Sequence, residues 1–232
     1  YAIIYGDVLM NITNQCRPYE LNKGETERLA DKFTLELANK MLTEGVSFKK
    51  VKANCKKMLD AFAKIPRSDE TKVKVGVVGE IYVKYSPLGN NNLEQFLLDE
   101  GAEVVVPGLL DFFMYCIVSN ITDISLYGLH KMRKPILNFV FNYLVKQQKE
   151  IIALMEEDGN FAPPTPITHT MELIQDFMGL GTKMGEGWLL PAEMLELNDE
   201  GVHNIVCTQP FGCLPNHICG KGMMKPLKEK NP

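Results

Sequence analysis

"KVKVGVVGE" (Lys72–Glu80) and "AEVVVPG" (Ala102–Gly108) decide the fold. Each is a short valine-rich run closed by glycine, the pattern of a strand buried on both faces. Between them, "NNLEQFLLDEG" (Asn91–Gly101) reads as a short amphipathic helix, with an asparagine cap in front and glycine at its end. Strand, helix and strand within about 35 residues form a βαβ unit, which requires parallel strands and a right-handed crossover. A third strand is expected at "VHNIVCTQ" (Val202–Gln209).

Helical signals surround these strands. Leu29, Phe33, Leu37 and Met41 recur at every fourth position within Glu25–Leu42, between Gly24 and Gly45. Val51, Cys55, Leu59 and Phe62 share one side of a second helix over Phe48–Ala63, where Cys55 reads as a small core residue. A long apolar helix follows from Lys134 to Glu157, and "NFAPPTPITHT" (Asn160–Thr170) breaks the chain with three prolines. Further helices are predicted over Met171–Met178, after Pro191, and from Pro215 or Asn216. The expectation is an α/β fold: a Rossmann-like open, mainly parallel sheet flanked by helices, with additional helical segments. Residues 1–66 are expected to form a helical N-terminal segment, and 67–232 an α/β lobe with a helical insertion around 134–180.

The composition sets broad bounds. With 232 residues, 45% hydrophobic and 23% charged, the chain can bury a sizeable core as a soluble globular protein. A net charge of -4 gives no reason to expect nucleic acid as a partner. The run Ile136–Val145 is too short to span a bilayer, so no membrane association is expected. "YAIIYGDVLMNI" lacks the basic start and small-residue cleavage site of a signal peptide, which points to the cytoplasm and to reduced thiols. With no initiating Met, and a stop at Pro232 after a basic segment, the ends read as cuts from a longer polypeptide.

The chemistry concentrates in "CTQPFGCLPNHICGKG" (Cys207–Gly222), where three of six cysteines fall within 13 residues. Ligands of open α/β sheets bind beyond the carboxyl ends of the strands, where the third strand delivers this segment. A helix starting near Asn216 would place Cys213 at its N-terminus, which favours a thiolate. Three readings remain open from spacing: Cys207 and Cys219 as core residues, zinc held by Cys207, Cys213, His203 and His217, or an iron–sulfur cluster. "GEGW" places Glu186 and the sole Trp in a glycine-rich loop that serves as a lid, a ligand wall or a plain turn into the next helix. Glu80 either faces the same cleft or caps a turn. Lys221, Lys225, Lys228 and Lys230 read as a solvated helix face. "GVVGE" is not a dinucleotide fingerprint, and neither a phosphate-binding loop with Lys and Ser/Thr nor a nucleophile elbow is present.

Five blocks occur in the order of a known family: "RPYE" (Arg17–Glu20), "VGVVGEIYVKYSP" (Val75–Pro87), "EGAEVVVPGLLDF" (Glu100–Phe112), "KMGEGWLLPAEM" (Lys183–Met194) and "NIVCTQPFGCLPNHICGKGM" (Asn204–Met223). The chain resembles the C-terminal part of the 2-hydroxyacyl-CoA dehydratase-like, or acyl-CoA dehydratase activase-related, proteins. That resemblance implies a [4Fe–4S] cluster held by three cysteines in Rossmann-like lobes, with one iron open to substrate. It also implies a separate ATP-dependent activator, as a domain or a protein, that injects a low-potential electron for ketyl-radical chemistry on an acyl-CoA. Carried onto this sequence, Cys213 is the first candidate ligand, Cys207 the second and Cys219 the third, with Glu186 and His217 as candidate proton-transfer groups. The family's ATPase domain, the lobe carrying its other ligands and a strand expected beyond Pro232 have no counterpart here. A non-catalytic docking or regulatory module for the activator is the alternative, followed by a zinc-stabilised domain.

Overall fold

Alternation along the first strand explains how the sheet is buried. In the computed structural model, which describes residues 1–230, β1 (Lys74–Gly79) lies between β2 (Glu103–Val105) and β3 (Asn204–Thr208), all parallel, in the order β2-β1-β3. Lys74 registers with Glu103, and Val75 with Asn204. Successive side chains point to opposite faces. Val78 joins a cluster with Leu190, Leu195 and Leu197, whereas Val77 meets Val104 and Val106 on the other face. Gly76 lies under Leu197, and a Cβ there would come within 2.6 Å of Leu197 Cδ1. Each strand is shorter than its valine run suggests.

The β1–β2 crossover contains α4 (Ile81–Tyr85), α5 (Pro87–Asn90) and α6 (Leu93–Asp99). Asn90 Oδ1 accepts from Leu93 N at 3.1 Å, so the cap lies one residue before the stretch quoted for it. The return from β2 to β3 runs through α7 (Leu109–Tyr127), α8 (Lys134–Asp158), α9 (Ile167–Ile174) and α10 (Leu189–Asp199). Helix α9 starts four residues earlier than expected, immediately after Pro166, whose fixed φ suits a helix start. The proline-rich break is correspondingly shorter.

The N-terminal part is helical: α1 (Ala2–Cys16), α2 (Glu25–Glu44) and α3 (Phe48–Phe62). Val51, Cys55, Leu59 and Phe62 are fully buried, and they share a core with Ile12 of α1 and with Ile151 and Met155 of α8. Helix α7 is long and apolar enough to cross a membrane by length and composition. Its Met114, Tyr115 and Val118 are buried in the same core as Trp188 and Leu189.

After β3 the chain does not form the regular helix expected from Asn216. A π-helical turn over Asn216–Gly220 leads through a 3-10 turn (Lys221–Met223) into α11 (Met224–Lys230). Lys221, Lys225 and Lys228 are exposed, and Lys225 pairs with Glu229.

Candidate functional site

Beyond β1 the chain turns into the crossover towards β2, and beyond β3 it turns into the π-helical segment. In open α/β sheets the crevice at the carboxyl ends of the strands is where ligands bind. Gly79 ends β1 at φ 141°, tight against Thr208, and Glu80 N donates to Thr208 O at 3.0 Å. Glu80 does not project into the crevice as a free acid: its Oε2 accepts from Val83 N at 2.9 Å and caps α4.

Glu186 bridges the two connections. Its Oε1 accepts from Ile81 N at 3.2 Å, and its Oε2 accepts from Asn216 Nδ2 at 3.1 Å. The same Asn216 amide donates to Cys213 Sγ at 3.2 Å. Asn216 is fully buried, and its Oδ1 has no partner among the described residues. A carboxylate therefore orients an amide, and the amide orients a thiol. The glycine-rich loop before α10 is fixed as well: Tyr115 OH donates to the carbonyls of Lys183 and Gly185, and the fully buried Trp188 lies against Tyr115 with ring centroids 5.1 Å apart. It is a pinned turn into α10 and not a mobile lid.

The remaining candidates lie differently. Cys207 Sγ sits against Gly220, where an added Cβ would approach it to 3.2 Å. Burial, then the carboxylates of Glu193 and Glu186, push the Cys207 thiol up to about 11. Cys219 is buried, and burial followed by the Glu186 charge raises it too. Both are thereby held as thiols; of the three sulfur-bearing residues, Cys207 and Cys213 are half-buried and Cys219 is buried. His217 is exposed, with no side-chain hydrogen bond among the described residues. His203 stands at the opposite end of β3 and bonds to Asn198 at 2.8 Å, which separates it by about 13 Å of strand from Cys207 and removes it from the zinc set. No three His, Cys, Asp or Glu side chains converge as a metal site among the described residues. Cys207, Cys213 and Cys219 therefore do not form a complete ligand set by themselves among the described residues, in keeping with the expectation that a cluster would draw its other ligands from another lobe.

Two features behind the crevice are not signalled in the sequence. Lys84, of α4, is 1% exposed and pairs with the equally buried Glu193 of α10 at 2.8 Å, with its ammonium 4.8 Å from the Tyr85 ring centre. Next to this pair, burial raises Asp7 to about 6 and Asp111 to about 7, even though Asp7 accepts from the Leu109 and Leu110 amides and Asp111 from Gln148. Carboxyls raised on folding bind protons that the unfolded chain, with values near 4, has released. Their stabilisation is complete below about pH 4 and is lost as pH rises through about 6 and 7. Each contributes up to ~1.4 kcal/mol per pH unit across that window. The protein is expected to melt at a higher temperature at pH 5 than at pH 8, and Asp111→Asn should shrink that difference in calorimetry.

Comparison with protein-family models, curated proteins and solved structures finds no match for this chain.

Proposed function

We propose that this chain is an electron-accepting component of an iron–sulfur, 2-hydroxyacyl-CoA dehydratase-like or activase-related system. In this reading a cytoplasmic, Rossmann-like lobe presents Cys213 as a single ligand, and the centre is completed by ligands from another lobe or subunit. The hydrogen bond from Asn216 to Cys213 Sγ, anchored by Glu186, carries the reading. An N–H directed at a sulfur orients it and, in a metal site, tunes the bound metal. The position of Cys213 in the crevice supports it further. Phe211, Leu214 and Ile218, within five residues of Cys213 in the chain, are exposed, as is Met184 of the loop before α10, an apolar rim suited to an ATP-dependent activator or a second lobe. An acyl-CoA is the proposed substrate class.

That rim equally favours a second reading, a non-catalytic docking or regulatory module for the activator. Anoxic purification with associated partners, followed by iron and sulfide quantification beside Cys213→Ser, separates the two. About four iron and four sulfide per centre, lost in the variant, is the expected result. Partner binding without iron in either protein would sink the redox reading and leave the docking module.

Thiol reactivity gives a second check. Burial lifts Cys16 and Cys207 to about 11 and Cys55 to about 12, so almost none of these exists as thiolate near neutral pH. Iodoacetamide is expected to modify Cys213 at least ~10-fold faster than these three, as read by peptide mass spectrometry.

A further inference from the structure

A cavity of about 470 Å³ runs beside β2, between α1, α8 and residues 162–166. Its size falls within the range of small-molecule pockets, and Val8, Val106, Ile152 and Met155 contribute apolar walls. Six acidic residues line it from separate parts of the chain: Asp7 of α1, Glu103 of β2, Asp111 of α7, Glu156 of α8, Glu196 of α10 and Glu200 just beyond α10, with Lys74 the one lining cation among the described residues.

Asp111 and Glu196 are 4% and 6% exposed. One oxygen of Asp111 accepts from Gln148 at 2.6 Å, and one of Glu196 accepts from Thr170 at 2.7 Å. The other oxygen of each has no hydrogen-bond partner among the described residues. Neither of these oxygens is among the fully enclosed unpaired atoms, and both residues line the cavity. The neighbouring cations are already committed, Lys84 to Glu193 at 2.8 Å and Lys74 to Glu103 at 3.2 Å. Asp7, Asp111 and Glu193 thus share a single buried ammonium, Glu196 lies among Asp111, Glu193 and Glu200, and Glu200 is near Lys74. Two buried carboxyl oxygens lining a chamber with apolar walls lack a donor, and no further cation lines that chamber among the described residues.

We propose that this cavity binds a small organic ammonium ion with an aliphatic body, its N–H donors on Asp111 and Glu196 and its hydrocarbon along α8. An alkylammonium matches both features: several donors on a compact positive head, and apolar surface for the walls. The inference is independent of the reading at the β1–β3 crevice. Burial holds Asp111 near 7 and Glu196 well above the usual carboxylate range, so binding the cation ionises them and releases protons.

The test is isothermal titration calorimetry of the whole chain with hexylammonium, hexan-1-ol and hexanoate. Near pH 7.5 hexylammonium is expected to bind at least ~10-fold more tightly than either analogue, and to weaken as pH falls towards 6. Asp111→Asn should weaken hexylammonium by ~10-fold while leaving hexan-1-ol unchanged, and Ile152→Trp should abolish binding of both by filling the chamber. Equal affinity for all three compounds, tighter binding of hexanoate, or no binding to a chain shown to be folded by circular dichroism would each overturn the proposal. Because these outcomes come from the unsubstituted chain, a variant that fails to fold does not obscure the result.

Discussion

Lys84→Met is expected to destabilise the protein by about 3–5 kcal/mol, the usual result of removing one partner from a buried ion pair. The side chains of Lys84 and Glu193 are 1% and 3% exposed, so water cannot replace the lost ammonium. Burial already raises the Glu193 carboxyl, opposed by the charge and hydrogen bond of Lys84. Lys84 also holds down Asp7 and Asp111, so its loss is felt by three acids. The orphaned carboxyl must take up a proton, which costs more as pH rises. Urea unfolding should therefore show a larger deficit at pH 8 than at pH 5. Adding Glu193→Leu is expected to recover most of the loss, because an apolar pair of similar volume dispenses with the desolvation problem. A deficit below ~1 kcal/mol, unchanged by pH, would mean that the pair is hydrated in solution.

Gly79→Ala is the second large effect, at least about 3 kcal/mol. At φ 141° the residue occupies a region essentially restricted to glycine. A Cβ there would also overlap the carbonyl oxygen and hydroxyl of Thr208, on the last rung of the β1–β3 ladder. The obstruction is backbone, so a rotamer change cannot relieve it. The Glu80 N to Thr208 O hydrogen bond would be lost, and β3 would separate from β1 at the crevice. Faster alkylation of Cys207 should accompany the drop in stability. Gly101→Ala provides the control, with φ 85° but open space around the added carbon, and should cost only about 1 kcal/mol.

Much of the fold was legible from local pattern. The two valine runs closed by glycine identified β1 and β2, and apolar residues at every fourth position identified α2 and α3. Helix α7 gave no comparable stripe: "LLDFFMYCIVSNITDISLY" is apolar on several sides, so its burial is not written as a period. At the crevice, Cys213 and Glu186 could be singled out because residue type and strand-end position both marked them. The role of Asn216 could not, since its carboxylate partner lies 30 residues away, in the loop before α10. Lys84 was still less visible, because its value comes from a carboxylate 109 residues downstream. The acids of the cavity beside β2 are scattered over four helices, a strand and a turn, and only the tertiary fold gathers them. The spacing of the last three cysteines left core, zinc and cluster readings open, and burial with local negative charge sets two of them apart.

The strand order also fixes a sequence of assembly. The β1–β2 pair closes across one short crossover, but Thr208 reaches back to Val78 across 130 residues. Closing the longer loop costs more chain entropy, and non-local pairings of this kind are slow to form. The N-terminal helices and the β1–β2 unit can consolidate while β3 is still undocked. Docking of β3 then creates the Glu186–Asn216–Cys213 arrangement as the last structured element, and by the same logic the first to open. Insertion of this single edge strand is therefore the step expected to make the sulfur presentable.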